Sequence, residues 1–325
     1  MDNVEYLSDF DQIGLLADAR RRAILRRLMA APATLTQLGQ ALGEHPAWIR
    51  HHLKRLEEAG LVELTEVRSR AGVVEKFYRA KASALLLQQT VLPDASIRPS
   101  ILFAGSHDLA IESLAEMLSG SLSLLTFPVG SLDGLTALRQ GLCHLCGAHL
   151  LDPGGEYNLP FVRHFFPDRL VLLVTLAHRE QGLMLAPGNP KHLRSLEDLA
   201  RPDVSFVNRQ RGSGTRLWFD RQVHDLGLPP ERIEGYAREV RTHTACASQV
   251  ARGEADAALG LYAAASRQGL DFLPLFQERY DLILPQEHAE SLLPLLDTLQ
   301  SGAFRRNVAS LVGYDTAHTG EGIAI

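Results

Sequence analysis

The sequence predicts an α/β protein in two parts. A small N-terminal α+β domain is expected over residues 1–82, and a two-lobed α/β domain over residues 100–325. Three closely spaced helix patterns followed by a β-rich pair predict the first part. Strand and helix patterns that alternate with each other predict the second part. Pro93 and Pro99 lie in the segment between them, so residues 83–99 are interpreted as a linker.

Composition is typical of a globular protein, with 46% hydrophobic and 22% charged residues in a chain of 325. No apolar run approaches the roughly 18 residues of a transmembrane helix. The start of the chain, MDNVEYLSDFDQIG, is acidic and lacks the apolar region of a secretory signal, so a cytoplasmic location is expected.

Charge is divided unevenly along the chain. Residues 1–82 contain 13 Lys/Arg and 11 Asp/Glu, a net charge of +2, and the remainder contains 20 and 27, a net charge of −7. Residues 1–82, called the head below, are mildly basic, and the remainder, called the body, is acidic. This division is compatible with nucleic-acid binding by the head alone.

The head starts with a predicted helix over residues 13–29, IGLLADARRRAILRRLM, which Pro32 ends. Thr34 is the predicted N-cap of a second helix, TLTQLGQAL, which ends at Gly43. A third helix, HPAWIRHHLKRLEEAG, has Pro46 in its first turn, where the missing N–H costs nothing.

The third helix is expected to bury the face formed by Ile49, Leu53 and Leu56, and Gly60 is its predicted C′ residue. LVELTEV and VVEKFYRA follow, separated by RSRAG, and predict a hairpin with an arginine-rich tip. Helix, helix, turn, helix and basic hairpin is the order of a winged helix-turn-helix.

The exposed face of the third helix and the hairpin predict a DNA-binding surface. Arg50 and His51 are expected to reach base edges in the major groove, while Lys54 and the wing meet phosphates. The predicted DNA-binding residues are Ala47, Trp48, Arg50, His51, Lys54, Arg68, Arg70 and Lys76. A solvated basic face is the alternative, and Trp48 fits a packing role equally well.

The stretch HHLKRLEEAGLVELTEVRSRAGVVEKFYRA resembles ArsR-type transcriptional regulators. The resemblance implies a double-stranded DNA operator as partner and a homodimer, because palindromic half-sites mirror a two-fold protein. The head contains no cysteine, so the thiolate sites of metal-sensing relatives are absent. The helix-like stretch through Leu85, Leu86 and Leu87 is interpreted as linker packing or part of a dimer seam.

In the body, RLVLLVTLAHREQGLMLAPG predicts two strands and HLRSLEDLARP a helix, within an alternation that indicates a mostly parallel sheet. The chain is expected to cross between two lobes near residues 170–186 and to return near 260–285. A ligand cleft is expected between the lobes.

Two predicted strands end in Gly-Ser, and the serines, Ser106 and Ser131, each lead into a helix. Ser213, Gly214 and Thr215 repeat this arrangement later in the chain. Hydroxyl groups beside the positive N-termini of three helices predict an anion site in the cleft. Simple N-capping is the alternative role for the two early serines.

The body resembles type 2 periplasmic binding proteins, especially the molybdate-binding branch and its relatives fused to helix-turn-helix heads. The segments that carry the resemblance are FAGSHDL, PVGSLDGLTALRQGLCHLCGAHLLD, GEYN, REQGLMLAPGNP, NRQRGSGTR and GLYAAA. The resemblance covers essentially the whole body. It implies that Ser106, Ser131, the 213–215 turn and Tyr262 bind the oxyanion molybdate or tungstate. Thr244 offers a further helix N-terminus, and Tyr262 fits a core or hinge role as well. Phosphate-binding relatives also use a GSGT turn.

Other polar residues near these motifs have different expected roles. Arg209, Arg211 and Arg216 are expected to supply a long-range field or lobe-closure salt bridges rather than direct ligands. Whether the loop of Glu156, Tyr157 and Asn158 touches ligand stays open.

The CHLC spacing of Cys143 and Cys146 fits a metal or redox site, but it falls where a helix gives way to a buried strand. His107 and Asp108 are adjacent, but no nucleophile, metal triad or cofactor fingerprint accompanies them, so an enzyme is not expected. The sequence predicts a transcriptional regulator that senses an oxyanion. The alternatives are a sensor of phosphate or sulfate, and a protein of molybdenum-cofactor metabolism with a DNA-binding head.

Overall fold

The computed structural model describes residues 4–70 and 73–325, apart from the side chains of Arg70 and Val73. The chain divides into two compact units, residues 1–91 and 92–325. The elements of the first unit are β1 (Val4–Leu7), α1 (Phe10–Leu15), α2 (Ala19–Ala30), α3 (Leu35–Leu42), α4 (Pro46–Glu58), β2 (Val62–Arg70), β3 (Val73–Ala80) and β4 (Ala84–Leu87).

The predicted helix boundaries of α3 and α4 are confirmed. Thr34 caps α3 through a reciprocal pair with Gln37, in which each side chain binds the other's backbone N–H. Gly43 then ends α3 with a φ of 68°, a left-handed conformation that favours glycine. Pro46 is the first residue of α4, after the N-cap His45.

Packing of the first unit also follows the predicted pattern. Ile49, Leu53 and Leu56 are at most 2% exposed and lie in one core with residues of α2 and α3. Gly60 follows α4 with a φ of 74°, and β2 and β3 then form the expected antiparallel hairpin. The fold of this unit presents the opposite face of α4 to solvent.

Two predictions for the first unit are wrong. Residues 13–29 do not form one helix, because the chain breaks after Leu15 and the Asp18 side chain caps α2 by accepting from Arg20 N–H. The helix-like stretch through Leu87 is strand β4, which pairs in parallel with β1. The partner strand lies some eighty residues away, so the local pattern does not reveal it.

The elements of the second unit are β5 (Ser100–Gly105), α5 (Leu109–Leu118), β6 (Ser123–Pro128), α6 (Ser131–Arg139), β7 (Leu145–Ala148), α7 (Leu159–Phe165), β8 (Val171–Leu185), β9 (Phe206–Arg209), α8 (Gly214–Asp225), β10 (Glu239–Val240), α9 (His243–Ala251), β11 (Ala257–Leu261), α10 (Tyr262–Arg267), β12 (Asp271–Pro285), α11 (Ala289–Gln300), α12 (Gly302–Ala309), β13 (Tyr314–Asp315) and β14 (Gly322–Ala324).

One sheet with the order β10-β9-β11-β8-β12-β7-β5-β6 runs through this unit. β5, β6 and β7 form the first lobe, and β9, β10 and β11 the second. The 15-residue strands β8 and β12 pair antiparallel along almost their full length and connect the lobes. They coincide with the two predicted crossovers, so the two-lobed α/β fold is confirmed.

Three details of the second unit differ from expectation. The stretch predicted as two strands is the single strand β8, because continuous pairing with β12 keeps it extended through Arg179 and Gln181. HLRSLEDLARP forms only a short 3-10 turn, Glu197–Ala200. The sheet is mixed rather than mostly parallel, since β8 and β12 run antiparallel to each other. Within the part of the chain that the structure describes, no helix combines the length and apolar character needed to cross a membrane.

Candidate functional site

Helix α4 presents an exposed polar face in the first unit. Ala47, Arg50, His51 and Lys54 are all exposed on it. Trp48 is half-buried instead: its ring centroid lies 4.3 Å from that of His52, and it packs against the core. The packing role for Trp48 is therefore the one that its contacts support.

The wing adds positive charge beside this face. Arg68 is exposed, pairs with Glu66 at 2.7 Å, and has its guanidinium carbon 4.6 Å from the ring centroid of Phe77. Lys76 on β3 is exposed, and the side chain of Arg70 lies outside the described residues. Arg68 and Lys76 are thus exposed basic residues of the hairpin that follows α4.

The first lobe of the second unit brings the two predicted serines together. Ser106 follows β5 and Ser131 begins α6, and both are fully buried. Their Oγ atoms lie 3.1 Å apart, and the His149 backbone N–H donates to Ser131 Oγ at 3.3 Å. Two hydroxyls thus converge at the carboxyl ends of parallel strands, where α/β sheets bind ligands.

The start of α5 differs from the expectation of three free helix N-termini. Asp108 caps α5 by accepting from the N–H groups of Ala110 and Ile111. A carboxylate therefore occupies the positive end of this helix, and it is in turn held by Arg179 and by the Tyr314 hydroxyl. Ser106 contributes a hydroxyl to the site, while these two α5 donors are already used.

The second lobe presents the turn at the start of α8. Ser213 Oγ donates to Gln210 O at 2.9 Å and accepts from Arg216 N–H at 3.2 Å, so this hydroxyl is engaged as the N-cap. Thr215 is fully buried, and its Oγ1 has no hydrogen-bond partner among the residues described. Gly214 and Thr215 also contribute first-turn N–H groups, which have no intrahelical acceptor.

The two lobes meet at these turns. Leu132 N–H, in the first turn of α6, donates to Gly212 O at 3.2 Å. Gly130 has a φ of 98°, and a Cβ there would lie 3.2 Å from Gly212. A Cβ at Gly214 would overlap the carbonyl oxygen and ring of His149. Glycine at these positions lets the two backbones approach each other.

A buried ionic network lies on the crossover strands. Arg179 on β8 pairs with Asp108 and with Glu278, whose Oε1 lies 2.6 Å from Arg179 Nε. Glu278 also accepts from Gln181 and lies 2.7 Å from His149 Nδ1. Burial opposes ionisation of Glu278, but Arg179 and His149 outweigh it and lower its pKa to about 2. Glu278 is thus held as a carboxylate.

Arg209, the last residue of β9, has a different environment. Its side chain is fully buried, and none of its three guanidinium nitrogens has a hydrogen-bond partner among the described residues. The neighbouring Cys246 thiol offers no counter-charge near neutral pH, because burial raises its pKa to about 11. Burial lowers the pKa of Arg209; among its charged neighbours, Glu278 opposes this effect and Arg179 adds to it. A buried guanidinium without a hydrogen-bonded carboxylate is costly in a folded protein.

The other two arginines of this segment differ from Arg209. Arg216 pairs with Asp220 at 2.6 Å and with Glu239 at 3.1 Å, and Arg211 is exposed and 3.5 Å from Glu239. These pairs lie within the second lobe, so they are not the expected lobe-closure salt bridges. Arg209 forms no ion pair with any residue described, and its expected role stays a prediction.

Two buried histidines lie near Arg209. His149 Nε2 and both ring nitrogens of His243 have no partner in the described part of the chain. Burial lowers the pKa of His149, against the attraction of Glu278, and Arg179 and Arg209 lower it further. Burial and the same two guanidinium groups lower the pKa of His243 well below its usual value. Both rings are therefore neutral near pH 7.

The remaining predicted ligand residues lie at other positions. Thr244 is the second residue of α9, whose N-cap is Thr242, and its Oγ1 is buried without a described partner. The Tyr262 ring stacks on Phe272 with centroids 4.4 Å apart. The described contacts of Tyr262 do not include the serine pair, and its ligand role stays a prediction.

The loop left open by the sequence has a structural role at Asn158. This side chain accepts from Leu150 N–H at 2.7 Å and donates to Ala148 O and to Asp281. Tyr157 is partly buried and Glu156 is exposed, and the Tyr157 hydroxyl donates to Gln277 O at 3.3 Å.

The cysteine pair lies apart from the buried polar groups without partners, whereas His107 Nδ1 is one of these groups and its ring centroid lies 6.2 Å from that of His243. Cys143 and Cys146 are buried in the apolar core of the first lobe, and burial raises the pKa of Cys143 to about 12. His107 pairs with Glu112 at 2.9 Å, and Asp108 is engaged with Arg179. These contacts account for each residue structurally.

Sequence reasoning missed Arg179, Gln181 and Glu278, and it gave Arg209 a different role. The available signal was a charged or amide residue inside a long apolar strand, as in LAHREQGLML and FQERYDLIL. Such a residue is rarely buried unless it is paired or binds a ligand. The sequence alone does not identify the partner.

Comparison with known proteins agrees with this architecture. Residues 112–300 match the PBP superfamily domain, and residues 16–65 match a helix-turn-helix domain. The chain is 34% identical over 236 residues to the uncharacterized protein YvgK of Bacillus subtilis (strain 168), covering 72% of this chain and 76% of that protein. It is 38% identical over 112 residues to an uncharacterized protein in the 5′ region of a 2Fe-2S ferredoxin gene of Clostridium pasteurianum, covering 32% of this chain and 96% of that protein.

Among solved structures, the sulfate-binding protein SubI of Mycobacterium tuberculosis H37Rv superposes with a TM-score of 0.51 at 12% identity, covering 67% of this chain and 86% of that chain. At this identity the likeness shows the fold. Together with the family match over residues 112–300, it agrees with the two lobes and the long crossover strands. The chain therefore belongs to the PBP superfamily and carries a helix-turn-helix domain in its N-terminal unit.

Proposed function

We propose that this protein is a transcriptional regulator of the ArsR type that binds double-stranded DNA through its N-terminal unit and a small oxyanion between the lobes of its second unit. Molybdate and tungstate are the first expected ligands. The proposal includes a cytoplasmic location, a homodimer and a role in binding rather than catalysis. The observation that supports the anion most strongly is the buried, unpartnered guanidinium of Arg209.

Donors for an anion come from both lobes. Ser106 and Ser131 contribute hydroxyls from the first lobe, and Thr215, the first turn of α8 and Arg209 contribute from the second. A hydrogen bond to a charged group contributes about 1.5–3 kcal/mol net. Five such donors supply about 7.5–15 kcal/mol, of the same order as the roughly 8–12 kcal/mol of micromolar to nanomolar binding.

Contacts with both lobes give the ligand a means of regulation. An anion that binds only the closed arrangement stabilises closure by its differential affinity. A shift from 1:99 to 99:1 between two states needs about 5.5 kcal/mol of differential binding. We therefore expect DNA affinity and anion affinity to be coupled reciprocally.

Calorimetric titration of the full-length protein with molybdate, tungstate, sulfate and phosphate tests the ligand. We expect at least one of the four to bind with micromolar affinity or better, and the Ser106→Ala, Ser131→Ala double variant to bind it at least about tenfold more weakly. Ser291→Ala, an exposed serine of the same unit, is the matched control. If the double variant binds as the wild type does, the site assignment is wrong.

Fluorescence anisotropy with promoter fragments tests the DNA-binding role. Arg50→Ala is expected to weaken DNA binding by about 1–3 kcal/mol and to relax the sequence preference. Lys54→Ala is expected to reduce the slope of log affinity against log salt concentration by about 1. Arg305→Ala, in the second unit, is the control. A protein that binds no promoter fragment at any salt concentration would contradict the regulator assignment.

A further inference from the structure

His149 lies between the ionic network and the serine pair. Its ring stacks on Tyr280 with centroids 5.6 Å apart, and its Nδ1 lies 2.7 Å from Glu278 Oε2. Its backbone N–H donates to Ser131 Oγ, so the residue contacts the proposed anion site directly. The other ring nitrogen, Nε2, is buried without a partner among the residues that the structure describes.

Glu278 determines which ring nitrogen carries the proton. This carboxylate also accepts from Arg179 and Gln181, contacts that hold it in the ionised form. An ionised carboxylate only accepts hydrogen bonds, so the neutral ring keeps its proton on Nδ1. The lone pair on Nε2 is then free to take a second proton.

One cation near His149 forms no salt bridge with a described residue. The titratable and charged groups near its ring are Glu278 and Tyr280 on β12, Arg179 on β8, Arg209 on β9, His243 on α9, and Tyr157 and Arg221, which line a cavity beside it. Arg179 is shared by Asp108 and Glu278, whereas Arg209 forms no salt bridge or hydrogen bond with a carboxylate among the described residues. A dianion against Arg209 therefore brings one more negative charge than this guanidinium neutralises.

We propose that the site binds a fully ionised oxyanion together with one proton, which His149 takes up on Nε2. The resulting imidazolium donates from Nδ1 to Glu278 and from Nε2 to the anion, so both N–H groups are satisfied. His243 is a poorer acceptor of this proton, because neither of its ring nitrogens has a described partner. The inference rests on the proposed oxyanion site and adds the charge state in which the ligand is held.

The sign of the pH dependence follows from this coupling. Without ligand, burial and the two guanidinium groups lower the pKa of His149; a bound dianion raises it. Binding is then strongest at low pH and weakens as pH rises through the window between the two values. In that window the dissociation constant rises by up to tenfold per pH unit, the limit for one coupled proton.

Calorimetry with sulfate and molybdate from about pH 6.5 to 8.5, the range in which a histidine titrates, tests the coupling. Both anions stay fully ionised there, and two buffers of different ionisation enthalpy report the protons taken up. We expect about one proton per anion. Binding with no buffer-dependent heat and no pH dependence would overturn this inference and leave the proposed function standing. If none of the four oxyanions binds, both this inference and the proposed function are overturned.

Two variants assign the proton to a residue. His149→Asn keeps a donor near the position of Nδ1 and removes Nε2, so it is expected to abolish proton uptake and the pH slope. His243→Asn, the matched control, is expected to keep both. Proton uptake that persists in His149→Asn would contradict the assignment.

A measurement on the wild type avoids any folding defect of the variants. In nitrogen-15 NMR of labelled histidine, saturating sulfate is expected to move the His149 Nε2 resonance to its protonated position. An unchanged resonance on binding would overturn the proposal.

Discussion

Arg179 and Arg209, two of the buried arginines of the second unit, have different surroundings. Arg179 is paired with Asp108 and Glu278, and its guanidinium carbon lies 4.3 Å from the ring centroid of Tyr280. Arg209 forms no salt bridge or hydrogen bond with a carboxylate among the described residues. We infer that the same side chain serves two purposes: Arg179 holds the crossover strands to the first lobe, and Arg209 is available to a ligand. A charge that the fold does not satisfy is the better indicator of a binding site.

The largest expected effect is the loss of anion binding in Arg209→Met. Two or more charge-assisted hydrogen bonds are removed, each contributing about 1.5–3 kcal/mol. The dissociation constant for the anion should rise by roughly 10²–10⁴-fold in calorimetry. Arg211→Gln, two residues away and exposed, should stay within about threefold of the wild type because exposed pairs contribute little. Equal losses in the two variants would mean that Arg209 is not the site's specific charge.

Arg179→Met should act on folding instead. It leaves Asp108 and Glu278 buried without their cation, which costs about 3–5 kcal/mol for a buried pair. Chemical denaturation should therefore show a lower free energy of unfolding in the absence of any anion. A variant of wild-type stability would contradict the description of Arg179 as a structural charge.

The hydroxyls of Ser213 and Thr215 also differ in whether the fold provides them with a partner, and smaller effects are expected from them. Ser213 Oγ is engaged as the cap of α8, so Ser213→Ala should cost about 0.5–2 kcal/mol of stability. Thr215 Oγ1 has no described partner, so Thr215→Val should leave stability unchanged or higher and weaken anion binding by about tenfold. Thermal unfolding and calorimetry on both variants separate these outcomes. The reverse pattern would show that Thr215 is packing and Ser213 is the ligand.

Sequence patterns were sufficient for much of the fold because the relevant signals are local. These signals are helix-end residues whose chemistry acts within a few residues: the Thr34–Gln37 pair, Pro46, Gly43 and Gly60. The alternation in the body identified most strands and the two crossovers. Non-local pairing was not visible: β4 exists because β1 lies beside it, and β8 is one strand because β12 pairs along it.

The site was predictable in part for the same reason. Gly-Ser turns before helices are local motifs, and the structure brings Ser106 and Ser131 to 3.1 Å. The roles of Arg179 and Arg209 depend on partners supplied by distant strands, which spacing along the chain does not encode. The NRQRGSGTR turn contains three arginines, and only their environments separate Arg209 from Arg211 and Arg216.

The most direct test of the central claim is thermal unfolding of wild type and Arg209→Met, each with and without saturating oxyanion. If Arg209 is a buried charge reserved for ligand, Arg209→Met unfolds at a higher temperature than wild type without anion, because an uncompensated charge is removed. The anion then stabilises the wild type by about 2.7 kcal/mol at a hundred times its dissociation constant and leaves the variant unchanged. A variant that is less stable without anion, or equally stabilised by it, would contradict the account.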